Sequence, residues 1–500
     1  MLQESRLSGV LLHPTSLPGP LGRGDLGPAA HAFLEDLAAA GQGVWQVMPL
    51  HPPGYGGSPY AGGSAFAGDP LLISPELLVE DGLLEPKDLD AAPRFPEGRL
   101  SHESDRPRRR LLRRAWERFQ TLGSAEERQA LAAFRERESY WLEDWALFAA
   151  VKEAHDQRAF WEWPPARLRR ALPGERRAAL HTHRDAVEAE VFYQHLFFRQ
   201  WGRLRRRAHQ LGIKIMGDVP IFVARDSADV WAHPELFCLD AAGELEVQAG
   251  VPPDAFSDDG QLWGNPLYDW KVHARTAWAW WIERLRTALA LTDLVRIDHF
   301  RGFASYWEVP IGEPTARGGR WVPGPRMALF RALRGALGED LPIVAEDLGE
   351  LTPDVPELLE ASGLPGMKVL QFAWDADPDH PFKPENYDAN CVVYTGTHDN
   401  ETTAGWWTHQ EDEVQQRVLA RVGAAGPVWG LIELALASRA CLAIVPAQDL
   451  LELGNEARMN HPGRANGNWS WRLLPGQLDR ERLARLRALT ERHGRLPTPD

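Results

Sequence analysis

Five hundred residues, 44% hydrophobic and 25% charged with a formal charge of −15, suit an ordinary globular chain and argue against a general nucleic-acid binder, which needs basic excess. Cys238, Cys391 and Cys441 are far apart and form no CxxC pair, which argues against a disulfide framework or a structural zinc. No stretch approaches the roughly 20 apolar residues of a membrane span, and the apolar N-terminal run is cut by His13 and Pro14, so a cytoplasmic chain without leader or anchor is expected.

The first candidate strand is GVLLHPTSL (9–17). Gly22-x-Gly24-x-x-Gly27 after it fits a dinucleotide pattern, but Pro18 and Pro20 intervene and the next strand, GVWQVMPL (43–50), offers no acid for a ribose. PAAHAFLEDLAAAG (28–41) reads as a helix between them. From about 70 to 210 the chain is helix-rich and heavily charged, as an insertion subdomain on one loop would be. Its Arg run, RPRRRLLRRAWERFQ (106–120), has apolar interleaving and acidic neighbours, so a solvated helix face is expected. His181-x-His183 lacks a third ligand, and no metal site is expected. The third strand is IKIMGDVPIF (213–222), followed by a Gly-, Pro-, Trp- and Asp-rich stretch, about 223 to 272, that reads as a binding-loop insertion. Helices at 277–291 and 327–338 flank the fourth strand, DLVRIDHF (293–300). LPIVAEDLG (341–349), GMKVLQFAW (366–374), CVVYTGTHDN (391–400) and CLAIVPAQDL (441–450) complete eight.

Apolar strands alternating with helices imply parallel β structure buried on both faces. Eight of them predict an α/β chain folded as one (β/α)8 TIM barrel over residues 1–500, with no separate C-terminal β-domain; an open doubly wound sheet is the alternative. In such a barrel the chemistry sits at the C-terminal strand ends. Strand three ends Gly217-Asp218, strand four Arg296-x-Asp298-His299, strand five Glu346-Asp347 and strand seven His398-Asp399-Asn400. A buried carboxylate costs several kcal/mol unless paired, so four such ends point to a site rather than to core decoration. Converging carboxylates without a nucleophilic cysteine or phosphate loop suit glycosyl transfer. The retaining form needs a carboxylate nucleophile and an acid/base carboxyl about 5 to 5.5 Å away. Arg296 lies two residues before Asp298, on the same side of the strand. Many of the 21 Trp are expected in the core, but those in QLWGNPLY (261–268) and NGNWSW (466–471) sit among Gly, Pro and Asn, as sugar-facing aromatics would.

RIDHFRGF, AEDLG and TGTHDNET resemble the catalytic motifs of the alpha-amylase clan in the amylomaltase (4-alpha-glucanotransferase) version. LLHPTSLPGPLGRGDLG, GDVPIFV, SADVWAHPELF, GQLWGNPLYDW, LPGMKVLQFAW, EARMNHPG and NGNWSWRLLP agree in order along nearly the whole chain. The resemblance implies Asp298 as nucleophile, Glu346 as acid/base and Asp399 as the carboxylate that grips sugar hydroxyls. It implies Arg296, His299, His398 and Asp218 around the sugar that reacts, with Tyr60 beside it. Trp263, Gly264 and Asn265 are implied on a mobile acceptor-side loop, Asp254 as a contact to an acceptor hydroxyl, and Asn468 as a further substrate contact. Maltooligosaccharides, amylose and other alpha-1,4-glucans would be substrates, glucose an acceptor, with no metal or organic cofactor, no nucleic-acid or membrane partner, and a monomer favoured. Ala255 after VPPD and Ala61-Gly62 after Ser58-Pro59-Tyr60 depart from the usual pattern and bear on donor and acceptor length preference; Glu401, where Asp is commoner, is a smaller departure. A glucan hydrolase with the same carboxylates is the nearer alternative; a non-catalytic carbohydrate-binding barrel is the farther one.

Overall fold

The computed structural model describes residues 6–165, 167–253, 257–349, 352–464 and 466–497. Eight parallel strands, numbered here along the chain, share one sheet. They are Leu7–Leu11 (β1), Val44–Gln46 (β2), Lys214–Pro220 (β3), Leu294–Asp298 (β4), Ile343–Ala345 (β5), Gly366–Val369 (β6), Cys391–Tyr394 (β7) and Leu442–Pro446 (β8). Each pairs with its neighbours in sequence except at β5 and β6, and β8 pairs with β1. Between β5 and β6 there is no ladder. The seam is closed by Ala345 N–H donating to Pro365 O at 2.9 Å and by Met367 N–H donating to Asp347 at 2.6 Å. A Cβ on Gly366 would lie 2.6 Å from an Asp347 oxygen, so only glycine permits this contact. The sheet is therefore a (β/α)8 barrel, not an open doubly wound sheet.

Every residue of β1, β2, β5, β7 and β8 is buried, because the sheet has side chains inside the barrel and helices outside it. The helices expected at 28–41, 277–291 and 327–338 are Pro28–Ala39, Ala279–Leu291 and Met327–Leu337. Pro28 opens the first of them, where its missing N–H has no intrahelical partner to lose.

Between β2 and β3 the chain forms several helices, among them Asp105–Leu122, Leu142–Ala154 and the 27-residue Arg184–Gln210. The Arg run in the first is not uniformly a solvated face. Arg106, Arg110, Arg113 and Arg114 are exposed, but Arg108 is buried and donates to Asp25 (2.9 Å) and to the Arg23 carbonyl (2.8 Å). Hydrogen bonds and an ion pair are what allow that burial. Helix Arg184–Gln210 holds down the loop that follows β2. The Gln194 carboxamide both donates to Gly68 O and accepts Gly68 N–H, each at 2.9 Å, and Gln200 does the same with Ser74 (3.2 and 2.7 Å). These amides are fully buried and fully satisfied, so they fix the backbone downstream of Tyr60.

The stretch after β3 is more regular than its composition suggests. Val247–Val251 and Gln261–Leu262 join Ser305–Pro310 and Arg320–Pro323 in a four-stranded antiparallel sheet, which ties the loop after β3 to the loop after β4. After β8, among the described residues, no further sheet forms. No single described helix is long and apolar enough to cross a membrane.

Just past β8 lies Asp449, almost wholly buried. It accepts hydrogen bonds from the Thr395 and Thr403 hydroxyls (2.6 and 2.7 Å) and from Thr403 N–H (2.7 Å), and so clamps the loop after β7. Asp449→Ala orphans those donors and is expected to cost about 2–4 kcal/mol, read as a lower urea midpoint. An unchanged midpoint would remove Asp449 from the scaffold.

Candidate active site

The register of β3 on β4 sets Asp218 beside Arg296 and Pro220 beside Asp298. Alternation then turns Asp218, Arg296 and Asp298 to one face of the sheet, and Val219 and Ile297 to the other. Arg296, 3% exposed, forks between the two acids: Nη1 reaches Asp218 Oδ2 at 2.7 Å and Nη2 reaches Asp298 Oδ1 at 2.8 Å. Burial works against its charge, and the two carboxylates outweigh that effect. The Tyr60 hydroxyl donates to Asp218 Oδ2 at 2.8 Å. Burial pushes the Asp218 carboxyl up, while Arg296 and Tyr60 pull it back toward the ionised form. Asp298 is different: its side chain is 28% exposed, and Oδ2 accepts no hydrogen bond among the described residues. Its free oxygen is available to a ligand.

β4 ends at Asp298, and His299 turns the chain sharply through the left-handed region (φ 55°, ψ 47°). For a residue with a Cβ that conformation is costly, and the surroundings must hold it. One holding contact is the His299 N–H, which donates to Glu346 Oε2 at 2.7 Å. Leu348 N–H donates to Glu346 Oε1 at 2.9 Å. Glu346 follows β5 directly, and its own carbonyl accepts Phe300 N–H at 3.0 Å. Burial first, and the charge of Asp298 second, push the Glu346 carboxyl up to about 7, against Arg296 and the two N–H donors. Asp347 faces away to the β5–β6 seam and belongs to the scaffold.

After β7, His398 stacks on Tyr60 with centroids 5.0 Å apart and planes within 11°. Burial pulls its imidazole below the usual range, so it is neutral at pH 7. Its Nε2 lies 3.3 Å from Asp399 Oδ2, and Asn460 donates to Asp399 Oδ1 at 2.5 Å. The His299 ring meets Trp263 edge-on at 4.7 Å; burial, then Arg301, lower its pKa to about 3.

Tyr60, Asp218, Arg296, Asp298, His299, Glu346, His398, Asp399 and Trp263 thus form one contiguous set. Other expected residues are engaged elsewhere. The Asn265 amide donates to Val223 O at 2.8 Å and braces its loop, while Gly264 (φ 72°) has nothing within 4 Å of where a Cβ would stand. Asn468 accepts His461 N–H at 3.0 Å and donates to Arg464 O at 2.8 Å, so its amide shapes a turn. Asp254 and the departure at Ala255 lie outside the described residues.

Of two further neighbours, the sequence marked Trp469 only as one of the aromatics of NGNWSW, and Asn460 not at all. Trp469, beside Asn468, lies against Tyr60 (5.7 Å) and His398 (5.8 Å). Asn460 holds Asp399. Both fall in stretches, NGNWSW and EARMNHPG, whose only signal is an aromatic or amide amid turn residues.

Among known proteins, a family model described as 4-alpha-glucanotransferase matches residues 12–477. The 4-alpha-glucanotransferase of Thermus thermophilus is 52% identical over 509 aligned residues, covering 99% of this chain and 100% of that one. That of Synechocystis is 49% identical, with 98% of each covered. A solved structure, the amylomaltase from Streptococcus agalactiae in complex with acarbose, superposes with a TM-score of 0.94 at 36% identity, covering 98% of this chain and 99% of that one.

Proposed function

The chain belongs to the 4-alpha-glucanotransferase family, and from that premise we propose that it moves alpha-1,4-glucan segments from a donor to the 4-hydroxyl of an acceptor glucan or glucose by a retaining double displacement. The observation that carries this reading is the pairing of an open carboxylate, Asp298, with a buried carboxyl, Glu346, whose pKa is raised to about 7. In the first step Glu346 gives its proton to the departing glycosidic oxygen while Asp298 Oδ2 attacks the anomeric carbon. The C–O bond to the leaving chain breaks and a glycosyl–aspartate ester forms. Esterification removes the Asp298 charge, the second cause of Glu346's elevation, so Glu346 settles as a carboxylate. It then takes the proton of the acceptor 4-hydroxyl, whose oxygen displaces Asp298 with net retention. Asp399, held by Asn460, grips sugar hydroxyls, and the Tyr60–His398 stack lines the pocket beside them. Trp263 against His299 shields the ester from water, which favours transfer over hydrolysis.

We also read Asp254, Trp263, Gly264 and Asn265 as acceptor-side residues, and Asn468 as contributing through the turn that presents Trp469. Residues 70–210 would form one insertion subdomain and 223–272 the binding-loop insertion. A cytoplasmic monomer that needs no metal or organic cofactor completes the proposal.

The product ladder from pure maltotriose tests it. Glucose together with maltopentaose and longer chains is expected. Glucose and maltose with nothing longer would make the protein a hydrolase.

The same carboxyl sets a pH dependence. Glu346 must carry a proton in the free enzyme, and its pKa is raised, so kcat/KM is expected to fall as pH climbs through about 7. A flat profile from pH 6 to 8.5 would deny Glu346 the acid role.

A further inference from the structure

After β8 the short helical turn Asn455–Ala457 ends at Arg458, whose backbone is extended (φ −59°, ψ 135°). Alternate residues of an extended chain face the same way. Met459 is buried in the core, and Arg458 and Asn460 on either side of it both reach the end of β7. There they close a ring of hydrogen bonds. Arg458 Nη2 donates to Asp399 O at 2.6 Å and its Nε to Asn460 O at 2.7 Å, while the Asn460 amide donates to Asp399 Oδ1 at 2.5 Å. The Asn460 N–H adds a bond to His398 O at 3.1 Å. Burial pulls the Arg458 pKa down, while Glu401 and then Asp399 support its charge. Glu401 itself is satisfied by Asn455 and His409, at 2.6 and 2.7 Å.

We propose that Arg458 is a positioning residue for Asp399. Nε and Nη2 lie on one edge of a planar guanidinium, so they set the Asp399 and Asn460 carbonyls at one separation. That separation decides where the Asn460 amide meets the Asp399 carboxylate, and hence where Oδ2, 3.3 Å from His398 Nε2, is aimed. Such control is needed because the Asp399 side chain is 40% exposed, and packing alone does not hold an acid that open. Arg458 acts at the main chain of Asp399 and through Asn460, and in this role it touches no sugar. The inference rests on the reading of Asp399 as the carboxylate that grips the reacting sugar.

A double-mutant cycle on maltotriose disproportionation tests it. Arg458→Ala is expected to lower kcat about 10- to 100-fold with KM within roughly 3-fold, the scale of a misplacement of about 1 Å at a reacting centre. In an Asp399→Ala background the same change is expected to cost less than about 3-fold, because the group it aims is gone. In a Trp469→Ala background the full loss should persist, although Trp469 N–H also bonds this turn, at Met459 O. Arg458→Met keeps the apolar stem and is read in place of Arg458→Ala if the latter lacks a cooperative urea transition. Equal losses with and without Asp399 overturn the proposal, as do a loss confined to KM and a kcat equal to the parent's. Failure of the unaltered chain to lengthen maltotriose is a separate readout and would defeat the glucan reading itself.

Discussion

Asp298→Ala is expected to lower kcat for maltotriose disproportionation by at least about 10⁴-fold, the scale on which a lone nucleophile's removal is felt. In barrier terms that is about 5.5 kcal/mol. The fold should survive, because Asp298 is the most exposed acid of the Asp218–Arg296–Asp298 set and Arg296 keeps its 2.7 Å contact to Asp218. The variant also allows a sharper check than loss of activity. With an α-glucosyl donor bearing a good leaving group, added azide should enter the space left by the carboxylate and yield the β-glucosyl azide. Residual activity within tenfold of the parent, or an azide product of retained configuration, would take the nucleophile's role from Asp298.

Glu346→Gln should have the next largest effect. Losing a positioned general acid costs about 10²–10⁴-fold, so kcat/KM for maltotriose should drop by that much and its fall above pH 7 should vanish. An α-glucosyl fluoride, whose leaving group needs no proton, should be cleaved in the first step with far less loss. A secondary effect follows from geometry. Both Glu346 oxygens accept backbone N–H groups, from His299 and Leu348. An amide can accept only through its oxygen, so one N–H is left facing an NH₂, a cost of about 1–3 kcal/mol in stability. Equal losses on maltotriose and the fluoride would mean that Glu346 positions substrate rather than moving a proton.

The barrel, and the face on which its charged strand ends gather, were legible because each strand announces its direction. In β4, Leu294, Val295 and Ile297 pack, while Arg296 and Asp298 open into the cleft, and the one-residue alternation separates the two roles. What the strand pattern by itself, without the motif resemblance, could not reveal is which polar strand ends belong to the cleft and which to the frame. Asp347 and Asp449 look as reactive in the sequence as Glu346 and Asp399, yet they are buried against backbone donors and threonine hydroxyls. In physical terms it is the three-dimensional contacts that distinguish them. Asn460 was illegible, and Trp469 only marked as an aromatic suited to a sugar, for a related reason: they reach the site from a turn after β8, where no periodicity marks a direction. The small antiparallel sheet joins the segments after β3 and β4 across the whole fourth barrel strand, a pairing no local pattern encodes.

The left-handed turn at His299 has a consequence for how such a chain can diversify. It ties the main-chain N–H of the residue after Asp298 to the carboxylate of Glu346, so the separation of the two carboxyls proposed to react depends little on which side chains surround them. The surrounding loops, meanwhile, bring side chains to the same place, among them Tyr60, Trp263, His398 and Asp399. Successive generations can therefore rewrite which glucan is accepted, and at what length, one rim residue at a time. The spacing of Asp298 and Glu346 is inherited as a finished part.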